Sequence, residues 1–259
     1  MPSTTPLPSI MVAPNGARRN QIHHPNIPIT DDALIDAVIK CQQAGADGAH
    51  LHIRDEKGAH IIDANRYQII LDRLVKSVPE MYLQVTSESA NFYEADQQQA
   101  MMRALKPHYV SVAMREMVRK PSDWPQATSF YNWADSSNVH IHHILYSPIE
   151  LKTFLSAVGK NLIPGNHHLL QFVLGNYEGT KISQPDHVSD FTDIINTAKT
   201  ELTFDWMVCA FGKEETTCLV EAIRQGGKAR IGFENSLWNS DGSVANDNAE
   251  RVAELVSCL

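Results

Sequence analysis

Two histidines, His50 and His52, stand one residue apart in "GAHLHI" (48–53), a run with the composition of a buried β-strand. Side chains two apart on a strand share a face. Burying two imidazoles in an apolar core without partners is costly. A divalent metal removes that cost, because each neutral imidazole supplies a lone pair. A pair of hydrogen-bonded core histidines is the alternative. Arg54 and Asp55 follow at the strand exit, where groups that orient ligands are useful. A third donor lies far along the chain: "RIGFENS" puts Glu234 at the end of the last strand-like run. Two histidines and one carboxylate make the three-ligand pattern of a catalytic zinc, with a fourth position open. The same set can hold ferrous iron as a facial triad; zinc is the preferred expectation.

These residues need a fold that brings strand ends together. Strand-like runs occur at 9–13, 48–53, 81–86, 108–113, 139–145, 169–174, 204–209 and 229–233, with helix-like patterns between them. "TDDALIDAVIKCQQAGA" is the clearest helix: Thr30 caps it, Asp31 and Asp32 suit the dipole, and Gly45 ends it. "SPIELKTFLSAVG" and "NDNAERVAELVSCL" repeat the design. The fourth helix falls within 122–136, where a composition rich in Trp, Ser and Asn suggests irregular structure instead. Eight strand–helix repeats in this length match a (β/α)8 TIM barrel. A doubly wound open sheet competes, but the first strand–loop, "MVAPNGAR", has no GxGxxG fingerprint. A barrel keeps its chemistry at the C-terminal ends of its strands. Its last strand closes beside the first, so Glu234 and the histidine pair are separated by one strand. No linker divides residues 1–259, which read as a single domain with residues 1–8 loose.

Bulk properties narrow the class. With 43% hydrophobic and 20% charged residues, the composition is that of a soluble globular protein. A net charge of −8 without a basic run argues against a nucleic-acid surface. Cys41, Cys209, Cys218 and Cys258 show no CxxC spacing and read as reduced thiols of a cytoplasmic protein. No apolar run is long enough to span a membrane, and the N-terminus lacks a secretory pattern. Among the other histidines, His140 and His142 also alternate on a strand, with His143 beside them, but no carboxylate clearly completes a second site. Trp238 is expected to pack in the core or line the pocket.

The segments "PNIPIT", "AGADGAHLHIRDEKG", "LKPHYVSV", "QFVLG", "GGKARIGFEN" and "SDGSVANDNAERV", in this order, resemble the β-keto acid cleavage enzyme family. The resemblance implies a (β/α)8 barrel holding zinc through His50, His52 and Glu234. It implies a Claisen-type exchange in which a β-keto acid and acetyl-CoA give a new CoA thioester and acetoacetate, and a homotetramer or homodimer. Catalytic positions carried over are Arg230, Asn235 and Ser87; substrate-binding positions are Asn15, Arg18, Thr86, Ser111, Arg115, His142 and Tyr146. Arg230, Gly232 and Glu234 alternate on one strand face, and a guanidinium can grip a carboxylate with two parallel hydrogen bonds.

The chain departs from the family where a substrate would be recognised. Asn235 replaces an aspartate and cannot take a proton. Asn15-Gly16-Ala17 replaces Thr-Gly-Ala, and Arg18 stands near a family glutamate. "TSESAN" replaces a Ser-Thr-Gly-Gly run, "AMREM" an Asn-x-Gly ending, and His142, Ile144 and Ser147 the strand-5 acids. Arg18, Arg115 and His142 at the mouth would suit a dicarboxylic keto acid over an amino-bearing one. Two other readings use the same metal: a CoA-independent retro-aldol or decarboxylation enzyme, and a keto-acid-binding protein with impaired catalysis. An amidohydrolase fits less well, since its HxH lies on strand 1.

Overall fold

The computed structural model describes residues 6–198 and 201–259. Eight parallel strands close into a barrel: β1 (Ile10–Val12), β2 (Gly48–Leu51), β3 (Tyr82–Thr86), β4 (Tyr109–Ala113), β5 (His140–Leu145), β6 (His167–Leu174), β7 (Thr203–Ala210) and β8 (Lys228–Ile231). Each strand pairs with the next, and β8 pairs with β1 through Met11 and Arg230. The long helices α1 (Asp31–Gln43), α2 (Ala64–Ser77), α3 (Ala95–Leu105), α4 (Trp124–Ser136), α5 (Pro148–Gly159), α6 (Ser189–Thr197), α7 (Glu215–Arg224) and α8 (Asn248–Ser257) alternate with them. All eight sequence-expected strands are present.

The strands sort their side chains by face. Outward positions such as Val12, Leu51, Val85, Val112, Leu145, Phe172, Val208 and Ile231 join the helices in one large core. Inward positions change character with height. At the lower end Met11, Tyr82, Leu169 and Met207 form a separate apolar plug. Above it the interior is polar, with His50, Gln84, His142, Gln171 and Arg230 all buried. A barrel interior is a packed core whose layers come from alternate strands, so this polar layer had to find internal partners.

Two expectations are corrected. The 122–136 stretch is not irregular: residues 124–136 form α4, with Ala127, Phe130, Tyr131 and Ala134 buried. That spacing is an apolar helical stripe, and its burial outweighs the weak propensity of Ser and Asn. Leu7 and Pro8 are not loose. Leu7 is 3% exposed within the lower plug, and its N–H donates to Asp205 Oδ2 (2.7 Å). Pro8 packs so close to Gly48 that a Cβ there would lie 2.4 Å from Pro8 Cγ. Residues 1–5 lie outside the described residues. Thr30 caps α1 as expected, its side chain accepting from Ala33 N–H (3.2 Å). Among the described residues no helix is long and apolar enough to cross a membrane.

Candidate metal centre

His50 lies in β2 and His52 just beyond it, both fully buried. Glu234 comes from a tight turn after β8; that strand ends at Ile231, earlier than the sequence suggested. In this turn Glu234 N–H donates to Ala13 carbonyl oxygen (3.0 Å), and Asn235 N–H to Gly232 (2.9 Å). Gly16, at φ +61°, lets the β1 loop pass over the glutamate: a Cβ there would sit 2.5 Å from Glu234 Cγ. A side chain larger than hydrogen cannot occupy that position without displacing the carboxylate.

The three donor atoms form a triangle. His50 Nε2 is 3.0 Å from His52 Nε2, and Glu234 Oε2 is 3.6 Å and 3.5 Å from the two nitrogens. Metal–nitrogen distances of about 2.0–2.1 Å in a tetrahedral site imply donor separations of about 3.3–3.4 Å, so this triangle fits one ion. Burial holds both imidazoles well below their usual pKa, in the neutral form that ligates. Glu234 Oε2 has no hydrogen-bond partner, whereas Oε1 accepts from Arg230 (3.0 Å). Among the described residues this is the one group of His, Cys, Asp and Glu side chains close enough to share a metal.

Residues behind the donors fix their state. His50 Nδ1 donates to Gln84 Oε1 (2.7 Å), which leaves the Nε2 lone pair free to face the centre. Gln84 Nε2 in turn donates to His142 Nδ1 (2.9 Å). Arg54 gathers the β1 loop by donating to the carbonyls of Asn15 (3.3 Å), Gly16 and Arg19 (2.9 Å). Asp55 instead shapes its own turn, accepting from Lys57 and Ala59 N–H. The sequence reading passed over Gln84, although its place between Tyr82 and Thr86 on one strand face was a signal.

A cavity of about 290 Å³ opens above the triangle. Of the sequence-derived catalytic and substrate-binding positions, Arg18, Thr86, Ser111, Arg115, Tyr146 and Arg230 line it, beside the metal-ligand candidates His50 and Glu234. The others do not. Ser87 Oγ is spent on the Ser111 carbonyl (2.8 Å). Asn15 Nδ2 donates to Pro28 and His52 carbonyls (2.8 and 3.1 Å) and holds the loop. Asn235 is buried behind Arg230, 3.5 Å from its guanidinium. His142 lies lower in the barrel, where burial pushes its pKa down to about 3, so it offers no charge to a ligand.

That placement corrects the expected cationic mouth. Arg115 donates twice to Glu150 Oε1 and stacks 4.0 Å from the Tyr146 ring centre, so its charge is largely balanced. Arg18 lies 4.0 Å from Glu178 and over Tyr177. The cavity also holds a carboxylate that sequence reasoning missed. Glu88 Oε2 is 3.8 Å from His52 Nε2, and burial with the nearby Glu234 and Glu116 carboxylates pushes its pKa up to about 8. Glu116 itself is committed to Ser89 and Gln98. Glu88 was visible in "TSESAN", but only the turn after β3 directs it to the metal side.

At the C-terminal mouth of this TIM barrel, His50, His52 and Glu234 form a donor set that could hold a metal ion. The family description "beta-keto acid cleavage enzyme" matches residues 9–259, and the chain belongs to that family. It is 23% identical over 248 residues to the 3-keto-5-aminohexanoate cleavage enzyme of Acetoanaerobium sticklandii, covering 93% of this chain and 87% of that protein. It is 21% identical over 254 residues to the 3-oxoadipate:acetyl-CoA acetyltransferase of Cupriavidus necator, covering 96% and 87%. Among solved structures it is similar to apo ObcA, with TM-score 0.70, 14% identity and coverage of 90% of this chain and 61% of that one. This chain thus spans about three-fifths of ObcA. A type I 3-dehydroquinate dehydratase of Clostridium difficile matches with TM-score 0.61, 10% identity and coverage of 98% and 93%. These structural likenesses show the fold alone.

Proposed function

We propose that this protein is a zinc-dependent β-keto acid cleavage enzyme. It exchanges acyl fragments between a β-keto acid and acetyl-CoA, giving a new CoA thioester and acetoacetate. The observation that carries this reading is the convergence of His50 Nε2, His52 Nε2 and Glu234 Oε2 at one point in a member of that family. Relatives named for cleaving a keto acid and for an acetyl-CoA acetyltransferase reaction support it. The donor set suits zinc first and ferrous iron second.

When bound, the ion supplies Lewis-acid polarisation of a keto oxygen, an effect worth several kcal/mol in the transition state. The protein groups do the rest. Arg230, buried and cavity-facing, grips the substrate carboxylate, and Glu234 Oε1 holds its guanidinium in place. Thr86 and Ser111 present hydroxyls side by side on β3 and β4 to orient the ligand. Tyr146 and Tyr177 wall the cavity and exclude water. Glu88 places a carboxylate on the open side of the centre, where it holds or accepts a proton at Oε2. Asn235 positions Arg230 and takes no proton. The four unpaired cysteines fit a cytoplasmic setting, and a homodimer or homotetramer is the expected assembly.

The decisive assay presents zinc-loaded protein with a panel of β-keto acids, with and without acetyl-CoA. Turnover that requires both partners supports the reading. Keto acid consumption without acetyl-CoA would replace it by retro-aldol or decarboxylation chemistry. Binding with no turnover anywhere would leave a keto-acid-binding protein.

A further inference from the structure

Beside the catalytic cavity runs a second cleft of about 380 Å³. The two share Asn176, Tyr177, Lys181 and Phe211 as a common wall. The cleft is built where four strand-to-helix loops meet: Arg19 after β1, residues 176–183 after β6, 211–214 after β7, and Trp238 after β8. Loops after the seventh and eighth strands form the phosphate site of many barrels. This position alone assigns nothing; the side chains give it chemistry.

Lys181 and Lys213 reach the cleft from different loops, and among the described residues neither has a carboxylate partner within ion-pair distance. Of the acids nearby, Glu214 lines the cleft and accepts from Thr217 Oγ1 (2.9 Å), and Glu178 faces Arg18 (4.0 Å). The lining thus carries three cations, Arg19, Lys181 and Lys213, against one carboxylate, Glu214. Between them lies an apolar surface: Trp238 is half-buried with Lys213 Nζ 6.0 Å from its ring centre, and Ile182 is 67% exposed. Cations beside an aromatic face, joined by a shared wall to a reaction cavity, suit a ligand with an anionic end, a flat ring and a thin reactive arm.

We propose that this cleft holds the nucleotide end of the acyl-CoA co-substrate. Lys181 and Lys213 take its phosphates as point charges, and the adenine lies on the Trp238 face. The pantetheine arm then passes the Tyr177–Phe211 wall into the cavity. The inference rests on the CoA-dependent reading above and extends it to residues that lie outside the metal site.

Calorimetric titration of the full-length, zinc-loaded protein with acetyl-CoA tests both and separates them. The expected result is binding by the wild type, with Kd raised at least tenfold, about 1.4 kcal/mol, in Lys213→Glu and again in Lys213→Glu/Trp238→Ala. The KM for the keto acid and the melting temperature should stay close to wild type, and Lys213→Arg should bind normally. Wild-type binding that is unchanged in both variants overturns the subsite while leaving the CoA reaction intact. Inorganic pyrophosphate binding as tightly as acetyl-CoA would reduce the cleft to a general anion patch and also overturn it. No acetyl-CoA binding by the wild type would sink the CoA-dependent function together with the subsite.

Discussion

Two pairs of buried histidines sit in this barrel, and only one of the two meets a carboxylate. His50 and His52 face the barrel mouth, whereas His143 and His168 face outward between the strands and α5. The outer pair lies 6.0 Å apart, ring centre to ring centre, against Phe154 at 4.7 and 5.3 Å. Burial lowers the pKa in both pairs, holding all four rings neutral. The difference lies in what converges on them. At the mouth two Nε2 atoms meet a carboxylate oxygen, and Gln84 fixes one tautomer. In the wall His143 Nδ1 and His168 Nε2 find no partner, and the rings serve as aromatic filling. Neutrality comes from burial; a binding site needs converging donors as well.

The strongest way to break this contrast is to remove a ligand. His52→Ala should purify without stoichiometric zinc and lose at least about 1,000-fold in turnover, some 4 kcal/mol, whereas His143→Phe should keep its metal. Elemental analysis of the two purified variants reads this directly, and equal zinc content would erase the distinction. Next in size is Gln84→Met, which keeps the bulk but releases His50 Nδ1. Loss of such an orienting hydrogen bond costs about 10–100-fold in metal affinity. Competition with a chelator measures it, and unchanged affinity would show that the tautomer needs no help.

The outer pair makes a prediction of its own. Burial pushes His168 down to about 4 from an ordinary 6.5. The unfolded chain therefore binds more protons between these values, and stability falls as pH drops from 6.5 towards 4. Between pH 7.5 and 5 this one group should remove about 2 kcal/mol, or about 30-fold in the folding equilibrium. Urea unfolding of metal-free protein at the two pH values should show the loss, with a shallower slope in His168→Phe. Equal slopes would mean that this ring is charged at little cost in the folded chain.

These contrasts also show what the sequence could and could not carry. Alternation told which face His50, His52 and His142 occupy, because a strand has a period of two. It did not tell their depth. Barrel strands tilt, so register partners such as Ser111 and His142 sit at different heights, and only Ser111 reaches the cavity. Glu234 was legible as a strand-end acid, yet its aim depends on the turn that Gly16 and Gly232 permit. Glu88 stood in plain view, but its aim was not legible for a related reason: a loop sets its direction, and no periodicity describes a loop. In α4 composition misled, since burial of Phe130 and Tyr131 settles that helix.

The smallest effect is expected where two arginines invite the same comparison as the histidines. Arg230 is buried and cavity-facing, held by Glu234; Arg115 also lines the cavity but spends two donors on Glu150 and lies against Tyr146. Its side chain is 51% exposed, and an exposed pair of this kind contributes about 0–1 kcal/mol. Arg115→Ala should therefore change kcat/KM for any β-keto acid by less than about fivefold, with little change in melting temperature. Run alongside Arg230→Lys, it separates an arginine that grips substrate from one that closes a wall. A large loss in Arg115→Ala confined to dicarboxylic keto acids would restore the cationic mouth and show that substrate draws Arg115 away from Glu150.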